Sequence, residues 1–473
     1  MTDVLHVHLT ELACPALTVA EHETIQTVAA RMTMAGSRAA LVLDAAGKLQ
    51  GIVTDMDLRA RVLAVWFDPG LPVSHIMTPE PLVISAGLMP AEALLLMARR
   101  NIRHVPVTLP EGNFGIVSMF DLLRQYDYHA AWLVGDIHVA PDVEALARLS
   151  QHLPPALVRM VQNGTPAHDI AHSLSLVGQE IVHRLLTLAE NRFGAPPVPY
   201  AFIVAGSMGR YEQTIHTDQD NAMILDDSFV AELHDSYFQQ VAQFVSDGLA
   251  ACGYVYCPGN IMATNPQWRQ PLHVWREYFR HWIDTPEPQA LVNATIFFDL
   301  RCTYGADSLW LRLRDDLLRR TRASSLFQRL LTENAQTFSP PLNFWGRFES
   351  ERNAVGEKVI DLKKRGVVPV IDMARVYALA HGLPPVNTVE RLQALAEAGA
   401  LNRADVGELL EALEVISRLR LQHQARQVQA GVKPDNALPL ASVSSLERNH
   451  LKGACEVVAR LQQGMFRAYR SGG

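Results

Sequence analysis

The feature that most constrains this chain is that its first quarter is written twice. GIVTDMDL (Gly51–Leu58) returns as GIVSMFDL (Gly115–Leu122) after 64 residues, and PALTVAEHETIQTVAARMTMAGSRAALV returns as EPLVISAGLMPAEALLLMARRNIRHVPV at an offset of 65. A fixed period requires one unit that folds the same way in each copy. Each copy reads as a short β segment, then a helix over residues 25–34 or 90–99 with apolar residues at helical spacing. A buried strand over 39–43 or 104–108 follows, then a turn, then a strand closing in Thr54-x-x-Asp57 or Ser118-x-x-Asp121. A hydroxyl followed three residues later by a carboxylate at a strand–helix junction is also what a helix N-cap requires. The motif alone leaves a structural and a ligand-binding role open.

Composition narrows the class. The chain has 473 residues, enough for two to four domains at about 100–200 residues each. The net charge of −7 argues against a general DNA or RNA binder. That charge is unevenly spread: −4 over residues 1–127, −9 over 128–305 and +6 over 306–473. Five scattered cysteines suit reduced thiols better than a disulfide framework. The first residues, MTDVLHVHLTELACP, lack the basic-then-apolar pattern of a signal peptide, and no apolar run reaches about 18 residues. The expectation is a cytoplasmic protein with no membrane partner.

The most informative passage is YAFIVAGSMGRYEQTIHTDQDNAMILDD, residues 200–227. AFIVA reads as a buried strand that ends at Gly206-Ser207, where a missing side chain lets backbone N–H groups approach an anion. Asp218 and Asp220 alternate along a second strand and so point to one face. Two carboxylates that close repel unless a cation lies between them, and magnesium with oxygen ligands is the natural resolution. A third carboxylate, Asp299, follows the apolar run of ATIFFDLR and is expected on a neighbouring strand. Trp268, Trp275 and Trp282 recur every seven residues, and with Phe279 they read as a packing stripe.

On these residues the repeat resembles a tandem pair of CBS domains, a Bateman module. The resemblance implies an adenine nucleotide as ligand, with Thr54 and Ser118 meeting phosphate, Asp57 and Asp121 accepting from ribose hydroxyls, and a homodimer as the assembly. The passage GSMGRYEQ (206–213), TDQDNA (217–222), CPGNIMA (257–263) and FFDLR (297–301) resembles the polymerase-β-like nucleotidyltransferases. It resembles more specifically a bacterial signal-transduction family related to the nucleotidyltransferase domain of PII-protein uridylyltransferase. DLKKRG, ARVYAL, TVERL, RLRLQHQ and KPDNALPL extend that resemblance to the helical C-terminal region.

The architecture so implied is a multidomain α/β chain. A tandem CBS pair occupies 10–125 (about 10–65 and 75–125), a helical connector 126–195, a nucleotidyltransferase α/β domain 196–305 and an all-α domain 306–473. By resemblance, Asp218, Asp220 and Asp299 are catalytic and hold two Mg²⁺ ions, with Mn²⁺ as the alternative. Gly206, Ser207 and Arg210 bind NTP phosphates, and Glu212 and Asn221 orient them. The implied reaction moves a nucleoside monophosphate from UTP or ATP to a hydroxyl, on a PII-like protein. Relatives often carry a cyclic-nucleotide-binding domain before the CBS pair, and the repeat starting near residue 10 leaves no expectation of one here. The rival reading is a non-catalytic scaffold that senses NTP with the same fold. A small-molecule transferase is a third, disfavoured by the large helical region.

Overall fold

The computed structural model describes all residues except 1–8, 10–13, 86, 110–112, 120, 121, 123–128, 216, 286–294, 344, 354, 355 and 471–473. The chain divides into two compact units, residues 1–135 and 136–473.

In the first unit the repeat is realised element by element. Helices Ile25–Ala35 and Pro90–Arg99 each precede a strand, Ala39–Leu43 and His104–Thr108. Thr24 caps the first helix by accepting from the Thr27 N–H, and Gly36 ends it at φ 61°, a left-handed conformation that glycine adopts without a Cβ clash. Each copy builds a four-stranded sheet. One runs Thr18–Ala20, Ala39–Leu43, Leu49–Thr54, Thr78–Pro79. The other runs Cys14–Pro15, Phe114–Ser118, His104–Thr108, Ile84–Ser85. Cys14 therefore pairs with Ile116 of the second copy, and Leu41 and Ile52 of the first copy share a core with Ile116. The two copies interlock through strand exchange and burial, as the repeat demands.

The second unit is centred on a sheet in the order Arg269–Pro271, Asn221–Leu225, Tyr200–Val204, Arg301–Gly305. Tyr200–Val204 is buried at every residue and pairs antiparallel with both neighbours, so its C-terminal end meets the start of each of them at Asn221 and Arg301. The tryptophan stripe packs as expected. Trp275 and Trp282 on helix Leu272–Asp284 pack on Phe297 and Phe279 packs on Phe298, and Trp275 donates its indole N–H to the Met223 carbonyl. That core continues without a break into Leu313, Phe327, Val370, Leu392, Ile416 and Val458 of the helical region. The sheet and the C-terminal helices therefore share one hydrophobic core.

Of the stretch read as a connector, 126–195, residues 136–195 lie in this unit. Helices Val143–Ser150, Leu153–Gln162 and Ala167–Phe193 lie within residues 136–473. The last of them is stapled to the C-terminal region: Glu414 accepts from the Ala167 N–H at the helix start, at 3.0 and 3.1 Å. Among the described residues no helix is long and apolar enough to cross a membrane.

Asp169 lies beside this staple. Burial first, and the Glu414 carboxylate second, push its carboxyl up to about 7. The folded state thus favours protonated Asp169, and the stability this contributes is lost as pH rises from the ordinary carboxylate range through about 7. Asp169→Asn is expected to raise the melting temperature at about pH 8 and to flatten the decline between about pH 5 and 8. Thermal unfolding followed by circular dichroism across that range checks this.

Candidate functional site

The carboxylate pair is assembled where the central strand ends. The second strand is interrupted at Asp220: Asp218–Gln219 pairs with Val255–Tyr256, whereas Asn221–Leu225 joins the main sheet. The Ala205 N–H donates to the Asp220 carbonyl at 2.9 Å, locking the two strand ends together. Gly206 follows with φ 57°, and a Cβ there would stand 2.8 Å from the Asp220 Oδ2. Glycine is thus required twice, for the backbone angle and for the close approach of the carboxylate. Burial, then the neighbouring Asp218, push the Asp220 carboxyl up to about 6. Ser207 lies nearby with its hydroxyl 3.2 Å from that of Thr217.

The third donor beside the pair is Cys257. One ligand atom each from Asp218, Asp220 and Cys257 lie within 4.8 Å of one another, and the thiol hydrogen-bonds to Asp220. The donors fit a divalent cation, because two carboxylates facing each other at this distance are otherwise repulsive. The sulfur departs from an all-oxygen set and favours softer ions than Mg²⁺. Cys257 opens CPGNIMA, whose loop is held to the sheet by Asn221, the Oδ1 of which accepts from the Ala263 N–H at 2.9 Å. Asn221 therefore fixes the loop that brings in the thiol.

Asp299 does not join this group, and the expectation that it supplies the third metal ligand from a strand is corrected. It lies in the turn before strand Arg301–Gly305 and is fully buried. Its Oδ1 accepts from Arg375 Nε (3.0 Å) and Arg391 Nη1 (2.7 Å), and its Oδ2 from Arg210 Nη1 (2.7 Å) and Arg375 Nη2 (2.5 Å). All four lone-pair positions of the carboxylate are thereby used. Burial alone would raise its pKa, but the guanidinium groups of Arg375, Arg391 and Arg210 hold it well below the usual carboxylate range.

Arg210 is occupied in the same way. It is buried, and it also bonds Glu212 at 2.7 Å, so its guanidinium ties the loop together. Glu212 spends its other oxygen on the Thr388 N–H, and Asn387 donates to the Arg210 carbonyl. With Asp372 bonded to Arg375, three guanidiniums face three carboxylates in one desolvated cluster. Arg301 of FFDLR adds a clasp, donating to the Met208 and Gly209 carbonyls and to Gln179 while lying 3.7 Å from the centre of the Tyr211 ring.

Sequence reading missed Arg375 and Arg391, although both lie in stretches it singled out, ARVYAL and TVERL. A lone arginine within the apolar run VPVIDMARVYALA was the available signal, since buried charge demands a partner.

In the first unit the closing motif forms the helix cap. Asp57 Oδ2 accepts from both the Thr54 N–H (2.9 Å) and the Thr54 hydroxyl (2.7 Å), and Asp57 also pairs with Arg61 at 3.3 Å. Ser118 ends its strand in the corresponding position, whereas Asp121 lies outside the described residues.

Two outcomes separate these roles. Asp299→Asn leaves buried guanidiniums short of charge and is expected to cost about 3–5 kcal/mol in chemical denaturation. Asp218→Asn with Asp220→Asn relieves repulsion and should leave stability equal or higher. In the second test, Cys257→Ser should weaken Cd²⁺ binding about tenfold while leaving Mg²⁺ binding nearly unchanged, read by calorimetric titration.

Comparison with known proteins follows the same order along the chain. Residues 9–64 and 73–128 match the CBS domain model, residues 151–289 the model described as "Putative nucleotidyltransferase DUF294", and residues 325–469 that described as "Putative nucleotidyltransferase substrate binding domain". The CBS domain-containing protein YhcV of Bacillus subtilis (strain 168) is 33% identical over 105 residues, covering 22% of this chain and 74% of that protein. CBSCBSPB3 of Arabidopsis thaliana is 33% identical over 110 residues, 23% of this chain and 19% of its own length. The chain thus spans about a fifth of that relative. Among solved structures, a CBS domain protein of Pyrobaculum aerophilum complexed with AMP shares 25% identity, covering 27% of this chain and 98% of that one at a TM-score of 0.24. The chain thus carries two CBS domains followed by matches to "Putative nucleotidyltransferase DUF294" and to "Putative nucleotidyltransferase substrate binding domain".

Proposed function

We propose that the protein is a divalent-metal-dependent nucleotidyltransferase that moves the nucleoside monophosphate of UTP or ATP onto a hydroxyl of a PII-like protein. An adenine nucleotide at the CBS pair regulates it, and the active assembly is a homodimer. The observation that carries this reading is the Asp218–Asp220 pair held against Gly206, one member of which is pushed up to about 6 by burial and by the other. Such a pair is a cation site with its charge already in place.

The reaction is an in-line exchange. The acceptor hydroxyl forms a bond to the α-phosphorus, the bond to the bridging oxygen of the β-phosphate breaks, and pyrophosphate leaves. Mg²⁺ or Mn²⁺ held by Asp218 and Asp220 would neutralise charge on the triphosphate. Gly206 and Ser207 lie beside the pair and are the groups offered to the phosphates. Arg210 works indirectly, fixing the loop through Glu212 and Asp299. Lys363, exposed and within the electrostatic reach of Asp218 and Asp220, is the cation offered to the polyphosphate. The hydroxyl proton passes to water, since Asp299 has no lone pair left to take it.

A second reading, a scaffold that binds NTP without turnover, is favoured by one observation: the third carboxylate is locked among arginines and a thiol stands beside the pair instead. One experiment tests both. Purified protein is incubated with each α-labelled NTP, with Mg²⁺ or Mn²⁺, in a cell extract. Transfer of label to a protein, lost in Asp218→Asn/Asp220→Asn, is the expected result; NTP binding without transfer means the scaffold. Adding AMP or ATP should alter the labelling rate, and Asp57→Ala should remove that effect.

A further inference from the structure

A cavity of about 380 Å³ is walled by helices Val143–Ser150, Leu153–Gln162 and Ala167–Phe193, the loop at residues 213–215 and the turn after helix Ala231–Ala251. None of Asp218, Asp220 and Cys257 lines it. It falls within the roughly 300–1,000 Å³ of small-molecule sites. No lysine, arginine, aspartate or glutamate is among its lining residues. An ion entering it would lose its hydration with no counter-charge to replace it, so the cavity suits a neutral ligand.

One of its lining residues, Gln213, keeps an unpartnered amide turned toward Gly178. Gln213 is 2% exposed, yet neither its Nε2 nor its Oε1 has a hydrogen-bond partner. Leaving a buried donor and a buried acceptor unpaired costs about 1–3 kcal/mol for each group. The arrangement is built into the surrounding chain. The Gln213 N–H donates to Ser175 Oγ at 2.9 Å. Opposite it stands Gly178, where a Cβ would come within 2.8 Å of Gln213 Oε1 and 2.7 Å of the Tyr254 hydroxyl. A glycine in mid-helix is unfavourable by about 1 kcal/mol against alanine, and here it makes room for the Gln213 amide and the Tyr254 hydroxyl.

We propose that this cavity is a second small-molecule site, taking a neutral planar ring with a lactam edge of the uracil kind. A primary amide presents a donor and an acceptor side by side, which complements an adjacent C=O and N–H in two parallel hydrogen bonds. Rotation about its own side-chain bonds turns the Gln213 amide from Gly178 to the ligand. Leu153, Pro154 and Leu174 supply apolar surface for the ring faces. Occupancy reaches the carboxylate pair through a short path. Gln219, set between Asp218 and Asp220, donates to the carbonyls of Tyr254 and Ser246 at 3.2 and 3.0 Å.

The test needs neither metal nor transfer activity, so its outcome is separate from that of the proposed reaction. The full chain in EDTA is titrated calorimetrically with uridine and with 3-methyluridine, which lacks the ring N–H. Saturable binding of uridine, weakened about tenfold by the methyl group, is expected, as for loss of one hydrogen bond. Gln213→Met should abolish binding with the melting temperature unchanged or raised, and Asp218→Asn/Asp220→Asn should bind uridine as the natural chain does. No saturation at millimolar uridine, equal affinity for the two nucleosides, or full binding by a folded Gln213→Met would each overturn the proposal.

Discussion

The second unit is organised around one buried carboxylate. Asp299 accepts from three guanidiniums carried by distant parts of the chain: Arg210 on the loop after the central strand, and Arg375 and Arg391 on C-terminal helices. Removing four charged groups from water is costly, and the arrangement holds only because Asp372 and Glu212 complete the balance and every lone pair of Asp299 is used. The consequence is geometric. The segment from Gly206 to Glu212 is tied to the C-terminal helices, since Asn387 and Thr388 also bond it. The shared hydrophobic core supplies bulk stability, and the ionic cluster specifies how the sheet and the helices fit.

That rigidity explains how two carboxylates can face each other nearby. Asp218 and Asp220 are held by backbone pairing on both sides of a strand break, with Gly206 leaving the space that Asp220 needs. Electrostatic strain at such a pair persists only where the surroundings over-determine it. The two acidic centres thus have opposite characters. Asp299 is a satisfied anion whose work is structural, whereas Asp218 and Asp220 form an unsatisfied pair suited to a cation.

Much of this was legible beforehand. The repeat announced two copies of one unit, and helices Ile25–Ala35 and Pro90–Arg99 fall where the apolar spacing put them. The glycine at 206 was legible because its signal is local, a backbone angle, whereas Asp218 and Asp220 come close across a strand break rather than by alternation along one strand. The tryptophan stripe was likewise a local periodicity. Asp299 was misread for a non-local reason. Its sequence neighbourhood, an apolar run ending in a carboxylate, is the same whether the partner is a metal or an arginine, and its partners lie 76 to 92 residues away along the chain. Cys257 was hidden for the same reason, as was the unpartnered amide of Gln213.

The sequence by itself determined the repeated unit, the buried central strand and the glycine that ends it, since each follows from periodicity or from the conformational freedom of single residues. Only the tertiary structure decided which charges meet. It gave Asp299 to three arginines, placed a thiol beside the pair, and joined helices of the connector stretch and of the C-terminal region to the central sheet. The physical reason is that burial and Coulomb energy depend on distances through space, and spacing along a chain does not encode those distances until the chain has folded.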